Sequence, residues 1–270
     1  MQDTKIAARG LVLLGCGKMG SAMLAGWLGR GLPASSVWVQ DPAPSEWVKA
    51  TGVHVNADLP VSPAVVLIAV KPQMMGDALP DIAAFGGGDT VFISVAAGTP
   101  LSAFEEAFGA TSPIVRAMPN TPAAVGRGIT AMCANPAGQG ALDDAEMLLS
   151  AVGDVVRLDD EDQMDAVTGV SGSGPAYVFH LIETLAAGGI AQGLSPALAM
   201  QLAKATVAGA GHLAMETAED PAQLRINVTS PNGTTQAALE VLMDESTGFP
   251  DLVPRAVKAA TDRSKELSRG

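Results

Sequence analysis

The chain has 270 residues, enough for one large domain or two small ones with a sizeable core. Hydrophobic residues make up 48% of the sequence and charged residues 16%, which excludes a disordered chain. The net charge of −12 repels phosphate backbones, so we do not expect nucleic acid as a partner.

The two cysteines, Cys16 and Cys133, lack the spacing of a disulfide framework, which favours a reducing compartment. The apolar run before Cys16 is too short for a secretion signal. No run of about 18 apolar residues occurs, so no membrane span is predicted. We therefore expect a cytoplasmic protein without a membrane partner, and we predict no metal site.

The first part of the sequence alternates buried strands with helices. Short apolar runs predict strands at 11–14, 37–39, 64–70, 90–98, 113–119, 128–133 and 154–158. Helical spacing predicts helices at 21–30, 73–85, 100–108 and 141–152. This alternation indicates an α/β fold with a mostly parallel sheet that is covered by helices on both faces.

The pattern changes after residue 160. From there Ala-rich segments predict helices alone, at 164–190, 196–217, 221–228, 235–244 and 252–267. We therefore predict a sheet-containing domain at 1–160 and an all-helical domain at 161–270. Helices this rich in Ala and Gly make a poor core alone, so we expect the second domain to pack against another copy of itself.

Gly15, Gly17 and Gly20 form a G-x-G-x-x-G motif between the first predicted strand and the first helix. The first glycine allows the turn, the second lets the backbone approach a pyrophosphate, and the third permits close helix–strand packing. The helix N-terminus offers free N–H groups to the phosphate charge. In this context the motif predicts a Rossmann-type dinucleotide-binding domain rather than an ordinary glycine-rich turn. Cys16 is interpreted as a small filler residue.

Asp41 follows the second predicted strand, about twenty residues past the last glycine of the motif. An acid at that distance suits the free ribose 2′-hydroxyl of NAD and repels a 2′-phosphate. The alternative is a simple turn aspartate before Pro42.

The stretch TSPNGTT at 229–235 places short hydroxyl and amide side chains directly before a predicted helix. The start of that helix offers unpaired N–H groups and the positive end of the helix dipole, which suit a carboxylate. Gly233 would let a ligand approach the backbone, and Ser230 and Thr234 could add hydroxyl donors. Taken alone, the same stretch could be a plain capped turn.

Further motifs accompany this stretch: AVKP at 69–72, MPNTP at 118–122 and SGSGPAY at 171–177. With them, the chain resembles the pyrroline-5-carboxylate reductase family over nearly its whole length, most specifically in SGSGPAY and SPNGTT. The resemblance implies a Rossmann domain followed by a helical domain that interlocks with a partner subunit. It implies reduction of the cyclic imine 1-pyrroline-5-carboxylate to L-proline with NADPH or NADH. The implied assembly is a homodimer, and further assembly of dimers into a decamer is left open.

The resemblance also implies which residues form the site. The pyrophosphate is expected against Gly15, Gly17, Lys18, Met19 and Gly20, and the adenosine ribose near Asn56. The nicotinamide side is expected to be lined by Ala69, Val70, Lys71, Pro72, Ala96, Ala97 and Asn120. The substrate is expected on the loop from 228 to 235, at Val228, Ser230, Asn232, Gly233, Thr234 and Thr235. Thr235 matches the hydroxyl that reaches the ring nitrogen, and we interpret it as orienting the ring without acting as a strong acid.

Two positions depart from the family pattern. The family usually has Gly-Gly where this chain has Asn232-Gly233, and Asn tolerates left-handed backbone angles better than most residues. Many relatives carry Asn-Arg where this chain has Asp41-Pro42. The arginine that would receive a 2′-phosphate is missing, so the choice between NADPH and NADH stays open.

Other acid–base candidates are interpreted as structural. His54, His180 and His212 are expected to be packed or surface residues, and Tyr177 a packing residue with a bonded hydroxyl. Asp165 and Glu183 are expected to be helix-surface or interface charges.

Three other functions fit parts of the sequence pattern. The β-hydroxyacid dehydrogenases share the two-domain plan, but the lysine of their glycine-rich signature is replaced here by Val178, which leaves an alcohol oxidation without its proton acceptor. Imine reductases that act on other cyclic imines, including six-membered ones, stay open. So does a protein that binds NAD(P) without catalysis.

Overall fold

The computed structural model describes residues 4–269. The chain forms two compact units: residues up to 172 together with the final stretch from 260, and residues 173–259. The boundary expected near residue 160 stays a prediction. The last strand of the described residues ends at Arg157, but the next fifteen residues or so pack with the first unit.

The first unit is built around an eight-stranded sheet with strand order β3-β2-β1-β4-β5-β6-β7-β8. All neighbouring strands are parallel except β6 and β7, which are antiparallel. The strands are β1 (Leu11–Leu14), β2 (Val37–Gln40), β3 (His54–Val55), β4 (Val65–Ile68), β5 (Val91–Ser94), β6 (Ile114–Met118), β7 (Gly128–Ala134) and β8 (Gly153–Arg157). The predicted α/β class is confirmed.

The helices of the first unit are α1 (Lys5–Arg9), α2 (Lys18–Gly29), α3 (Glu46–Ala50), α4 (Met75–Ala78), α5 (Leu101–Phe108), α6 (Leu142–Leu149) and α7 (Met164–Val167). Every residue of β1, β4 and β5 is buried, as expected of parallel strands covered on both faces. The fully buried Trp27 of α2 donates a hydrogen bond from Nε1 to the Leu148 carbonyl at 2.9 Å. This bond ties the helix that follows the glycine motif to α6.

Two predicted helices differ from the structure. The segment 73–85 is mostly 3₁₀-helix, at Pro72–Met74 and Leu79–Phe85, because Pro80 lacks the N–H that a continuous α-helix needs. The helix expected at 164–190 is interrupted by a π-helical turn at Thr168–Gly172. Such turns are rare and occur often at functional sites.

An ion pair with a buried cation joins β6 to the segment after β8. Arg116 on β6 is only 6% exposed, and its Nη1 lies 2.5 Å from Oε1 of Glu161. The same Glu161 oxygen accepts the N–H of Leu101 at 2.9 Å, the first residue of α5. Glu161 therefore neutralises a buried cation and caps a helix at once.

The second unit is helical, with α8 (Gly174–Ala191), α9 (Pro196–Glu216), α10 (Pro221–Asn227), α11 (Thr234–Leu242) and the first half of α12 (Phe249–Arg269). Its buried apolar residues within the described chain are Ala186, Ala199 and Ala203. Large side chains remain exposed, among them Phe179 at 58% and Val241 at 71%. A unit with so small a core needs further apolar contacts to be stable. None of the helices in residues 4–269 is both long and apolar enough to cross a membrane.

Candidate functional site

The glycine motif forms a tight turn between β1 and α2. Gly15 has a φ of 87°, and a Cβ there would lie 2.9 Å from Val70 Cγ1 and 3.0 Å from the Ala69 carbonyl oxygen. A Cβ at Gly20 would overlap the carbonyl oxygen of Gly15. Only glycine fits either position, as the motif predicts.

Gly17 differs, because a Cβ there would meet no atom within 4 Å. It is the exposed N-cap of α2 and has no side chain that could accept from the first-turn N–H groups. Lys18 is exposed and Met19 half-buried at the start of the helix. An open cradle of backbone donors at a helix N-terminus fits a dinucleotide pyrophosphate.

Asp41 lies at the end of β2, beside this turn. Its Oδ2 accepts the backbone N–H of Cys16 at 2.6 Å. Asn56, with a φ of 50°, holds Asp41 in place: its Oδ1 accepts the Asp41 N–H at 3.0 Å, and its Nδ2 donates to the Asp41 carbonyl at 2.9 Å. Both residues that were expected near the adenosine ribose thus form one rigid corner of the sheet edge.

Both thiols are buried, and burial raises the pKa of Cys16 and raises the pKa of Cys133 to about 11. At pH 8 only about one thiol in a thousand would be ionised at such a pKa. We expect neither thiol to react with iodoacetamide in the folded protein at pH 8, whereas both react in urea. Labelling of either cysteine within minutes in native buffer, seen by mass spectrometry, would contradict this expectation.

The residues expected on the nicotinamide side follow three neighbouring parallel strands. Ala69, Val70, Lys71 and Pro72 follow β4, Ala96 and Ala97 follow β5, and Asn120 follows β6. The carboxyl ends of these strands share one edge of the sheet, where ligands of such folds bind. Lys71, Pro72 and Ala97 are exposed there, whereas Val70 and Ala96 are buried.

The Asn120 side chain bonds two backbone groups, a structural role that the MPNTP motif does not indicate. Its Oδ1 accepts the N–H of Ile129 at 3.0 Å, and its Nδ2 donates to the Ser171 carbonyl at 3.2 Å. The second bond holds the π-helical turn of the SGSG motif against the end of β6. Asn120 therefore orders the backbone on this side, and its contact with a nicotinamide stays a prediction.

The loop at 228–235 connects α10 to α11. The Thr229 hydroxyl donates to the Arg225 carbonyl at 2.6 Å, and the Gly233 N–H closes a turn on the Ser230 carbonyl at 3.0 Å. Asn232 has a φ of 57°, a left-handed conformation that Asn tolerates better than most residues. Its N–H donates to Oε1 of Gln236 at 2.8 Å. The sequence interpretation missed Gln236, although a Gln at the third position of a helix often reaches back in this way.

Gly233 is the N-cap of α11, so no side chain caps the first turn of this nine-residue helix. The segment 227–235 contains no Lys or Arg. Val228, Ser230 and Thr234 are exposed, and Thr235 is half-buried. The start of α11 thus has backbone N–H groups without a side-chain cap and hydroxyls close by, with no cationic side chain among them.

The remaining acid–base candidates lie in other surroundings. His54 stacks on Trp38 with ring centroids 4.5 Å apart, and its Nε2 lies 3.0 Å from the Ser35 carbonyl oxygen. His180 pairs with Glu183 at 3.1 Å on an exposed helix surface. In residues 4–269 no group of three or more His, Cys, Asp or Glu side chains could hold a metal ion.

Two family models match the chain. The model described as pyrroline-5-carboxylate reductase dimerisation matches residues 161–267, and the one described as NADP oxidoreductase coenzyme F420-dependent matches residues 10–98. A Pseudomonas aeruginosa pyrroline-5-carboxylate reductase is 39% identical over 96% of both chains. The Methanosarcina acetivorans protein of that name is 36% identical over 100% of both.

Solved structures agree with these relatives. A pyrroline-5-carboxylate reductase from Coxiella burnetii matches with a TM-score of 0.90 at 34% identity, covering 96% of this chain and 98% of that one. A Plasmodium falciparum pyrroline carboxylate reductase with NADP bound matches with a TM-score of 0.81 at 29% identity, with the same coverage. The matched region includes both the sheet-containing unit and the helical unit. The chain is an NAD(P)H-dependent oxidoreductase and belongs to the pyrroline-5-carboxylate reductase family.

Proposed function

We propose that this protein reduces the C=N bond of 1-pyrroline-5-carboxylate to L-proline with NADPH or NADH, the last step of proline biosynthesis. The names of its relatives support the reaction. The observation that carries the proposal on this chain is the uncapped N-terminus of α11, which follows a turn of short polar residues without any cation.

The substrate is a small ring that carries one carboxylate. Backbone N–H groups of Thr234 and Thr235 and the dipole of α11 provide a positive potential for that carboxylate. The exposed hydroxyls of Ser230 and Thr234 add donors. The left-handed Asn232 fixes the turn, because its N–H is bonded to Gln236. No arginine side chain takes part in this mode of binding. The orientation of the ring therefore depends on the contacts of the imine nitrogen.

Hydride reduction of an imine requires that the ring nitrogen is protonated and that the ring is oriented toward the hydride donor. Protonation of the ring nitrogen makes the imine carbon electrophilic, and the nicotinamide, when bound, supplies the hydride. The side chains orient the ring and exclude alternative poses. Thr235 accepts a hydrogen bond from the protonated nitrogen through its Oγ1 and thereby directs the imine carbon toward the hydride donor.

Thr235→Ala should lower kcat about tenfold or more without abolishing turnover, because one orienting hydrogen bond is removed. Thr235→Ser keeps the hydroxyl and should retain most of the activity, which makes it the matched control. The rate is measured as loss of reduced-cofactor absorbance with 1-pyrroline-5-carboxylate, and proline is identified as product. If kcat and KM were unchanged in Thr235→Ala, Thr235 would not be part of the substrate site.

The proposal includes a homodimer through the second unit. The match to a dimerisation family over residues 161–267 and the exposed apolar side chains of α8, α9 and α11 support it. Assembly of these dimers into a decamer stays a prediction. Light scattering coupled to size exclusion should give a mass of at least twice the 27.3 kDa chain, and a monomer at micromolar concentration would contradict the proposal.

A further inference from the structure

The carboxylate of Asp41, directly after the carboxyl end of β2, is held in place by several hydrogen bonds. Besides the bond from the Cys16 N–H at 2.6 Å, its Oδ1 accepts the Ala43 N–H at 2.8 Å. The Asn56 side chain bonds both backbone groups of Asp41. The carboxylate therefore cannot easily swing away from the turn at which this fold binds an adenosine ribose.

This carboxylate still has acceptor capacity. Two carboxylate oxygens offer about four lone-pair sites, and the bonds from Cys16 and Ala43 use two of them. The half-buried side chain can therefore accept hydrogen bonds from both ribose hydroxyls. A 2′-phosphate offers no such hydroxyl and carries a charge of roughly −1.5 to −2, which the carboxylate repels.

The loops after β2 and β3 provide no cation to compensate for that repulsion. The loop after β2, residues 41–45, and the loop after β3, residues 56–63, contain no Lys or Arg. Arg9, which contacts Ser62 in the second loop, forms two bonds to Asp89 at 2.7 and 2.9 Å. Lys49 on α3 is paired with Glu46 at 2.7 Å. Arg9 and Lys49, the cation nearest in sequence to Asp41, are thus each paired with a carboxylate.

We propose that Asp41 makes this enzyme selective for NADH over NADPH, by binding the ribose hydroxyls and repelling a 2′-phosphate. The inference rests on the proposed function for the identity of the reaction, and it names the hydride donor of that reaction. It also sets the chain apart from the Plasmodium falciparum relative, which was solved with NADP bound.

Isothermal titration of the unmodified protein with NADH and with NADPH, in the absence of substrate, measures the selectivity directly. We expect NADH to bind about tenfold more tightly or better at low ionic strength. The difference should narrow in 1 M salt, where the screening length falls to about 3 Å. Equal affinities, or tighter binding of NADPH, would overturn the inference without any variant being made.

The double variant Asp41→Asn/Pro42→Arg should reverse the preference, because it removes the repelling charge and adds a cation for the 2′-phosphate. Asp81→Asn, which removes an exposed carboxylate from a 3₁₀-helix, is the matched control and should leave the affinity ratio unchanged. Thermal unfolding of each variant shows whether the turn survives. A folded double variant that keeps the original ratio would contradict the role of Asp41.

The two proposals can fail separately. If proline is formed but NADPH is bound as tightly as NADH, the selectivity is wrong and the proposed function stands. If NADH is bound selectively and no proline is formed with either cofactor, the proposed function fails while the role of Asp41 stands.

Discussion

Gly20→Ala is expected to reduce cofactor affinity on the order of 100-fold, because a small displacement of binding groups is amplified in such sites. The added methyl would overlap the Gly15 carbonyl oxygen, which is backbone and cannot turn aside. The turn must therefore open, and the first-turn N–H groups of α2 move with it. We expect unfolding to become easier by about 1–3 kcal/mol as well. Isothermal titration with NADH and urea unfolding measure the two effects.

Two other glycines serve as controls for this change. Gly29→Ala, at the exposed end of the same helix, meets nothing within 4 Å and should leave affinity and stability nearly unchanged. Gly17→Ala also meets nothing within 4 Å, so the protein should fold normally. Its methyl would nevertheless occupy the cradle and weaken cofactor binding. If both Gly17→Ala and Gly20→Ala bound NADH as tightly as the unmodified protein, the pyrophosphate could not lie at the glycine turn.

Glu161→Gln is expected to destabilise the first unit by about 2–4 kcal/mol, because it leaves the cation of Arg116 buried without a counter-charge. The amide oxygen can still accept the Leu101 N–H, so the loss reports mainly on the charge. The free energy of unfolding from urea titration at pH 7 measures the effect.

The double variant Arg116→Met/Glu161→Gln removes both charges and should recover most of the stability. Glu146→Gln breaks the exposed pair of Glu146 with Arg157 and should cost only about 0.5 kcal/mol or less. If the double variant were as unstable as Glu161→Gln alone, the buried charge could not be the cause.

Features with a local physical origin could be predicted from the sequence. β1 consists of four consecutive apolar residues and is found at its predicted bounds. The glycine spacing predicts a turn in which no Cβ fits at Gly15 or Gly20, and the geometry confirms it. Asn tolerates a left-handed conformation better than most residues, and Asn232 adopts one. In each case the backbone requirement depends on a few adjacent residues.

Features that depend on distant parts of the chain could not be predicted. The bond from Asn120 to the Ser171 carbonyl and the pair of Arg116 with Glu161 join residues about fifty positions apart, and neither leaves a signal in local periodicity. The π-helical turn at Thr168–Gly172 lies inside a pattern that reads as one continuous helix. The stretch from 158 to 172 follows the last strand, yet its contacts keep it with the sheet unit.

The position of the substrate carboxylate tests the account most directly. A crystal structure with L-proline and oxidised cofactor should show the carboxylate within about 3.2 Å of the backbone nitrogens of Thr234 or Thr235. The ring nitrogen should lie at hydrogen-bond distance from the Thr235 hydroxyl. A carboxylate paired with a Lys or Arg side chain, away from the start of α11, would contradict the account.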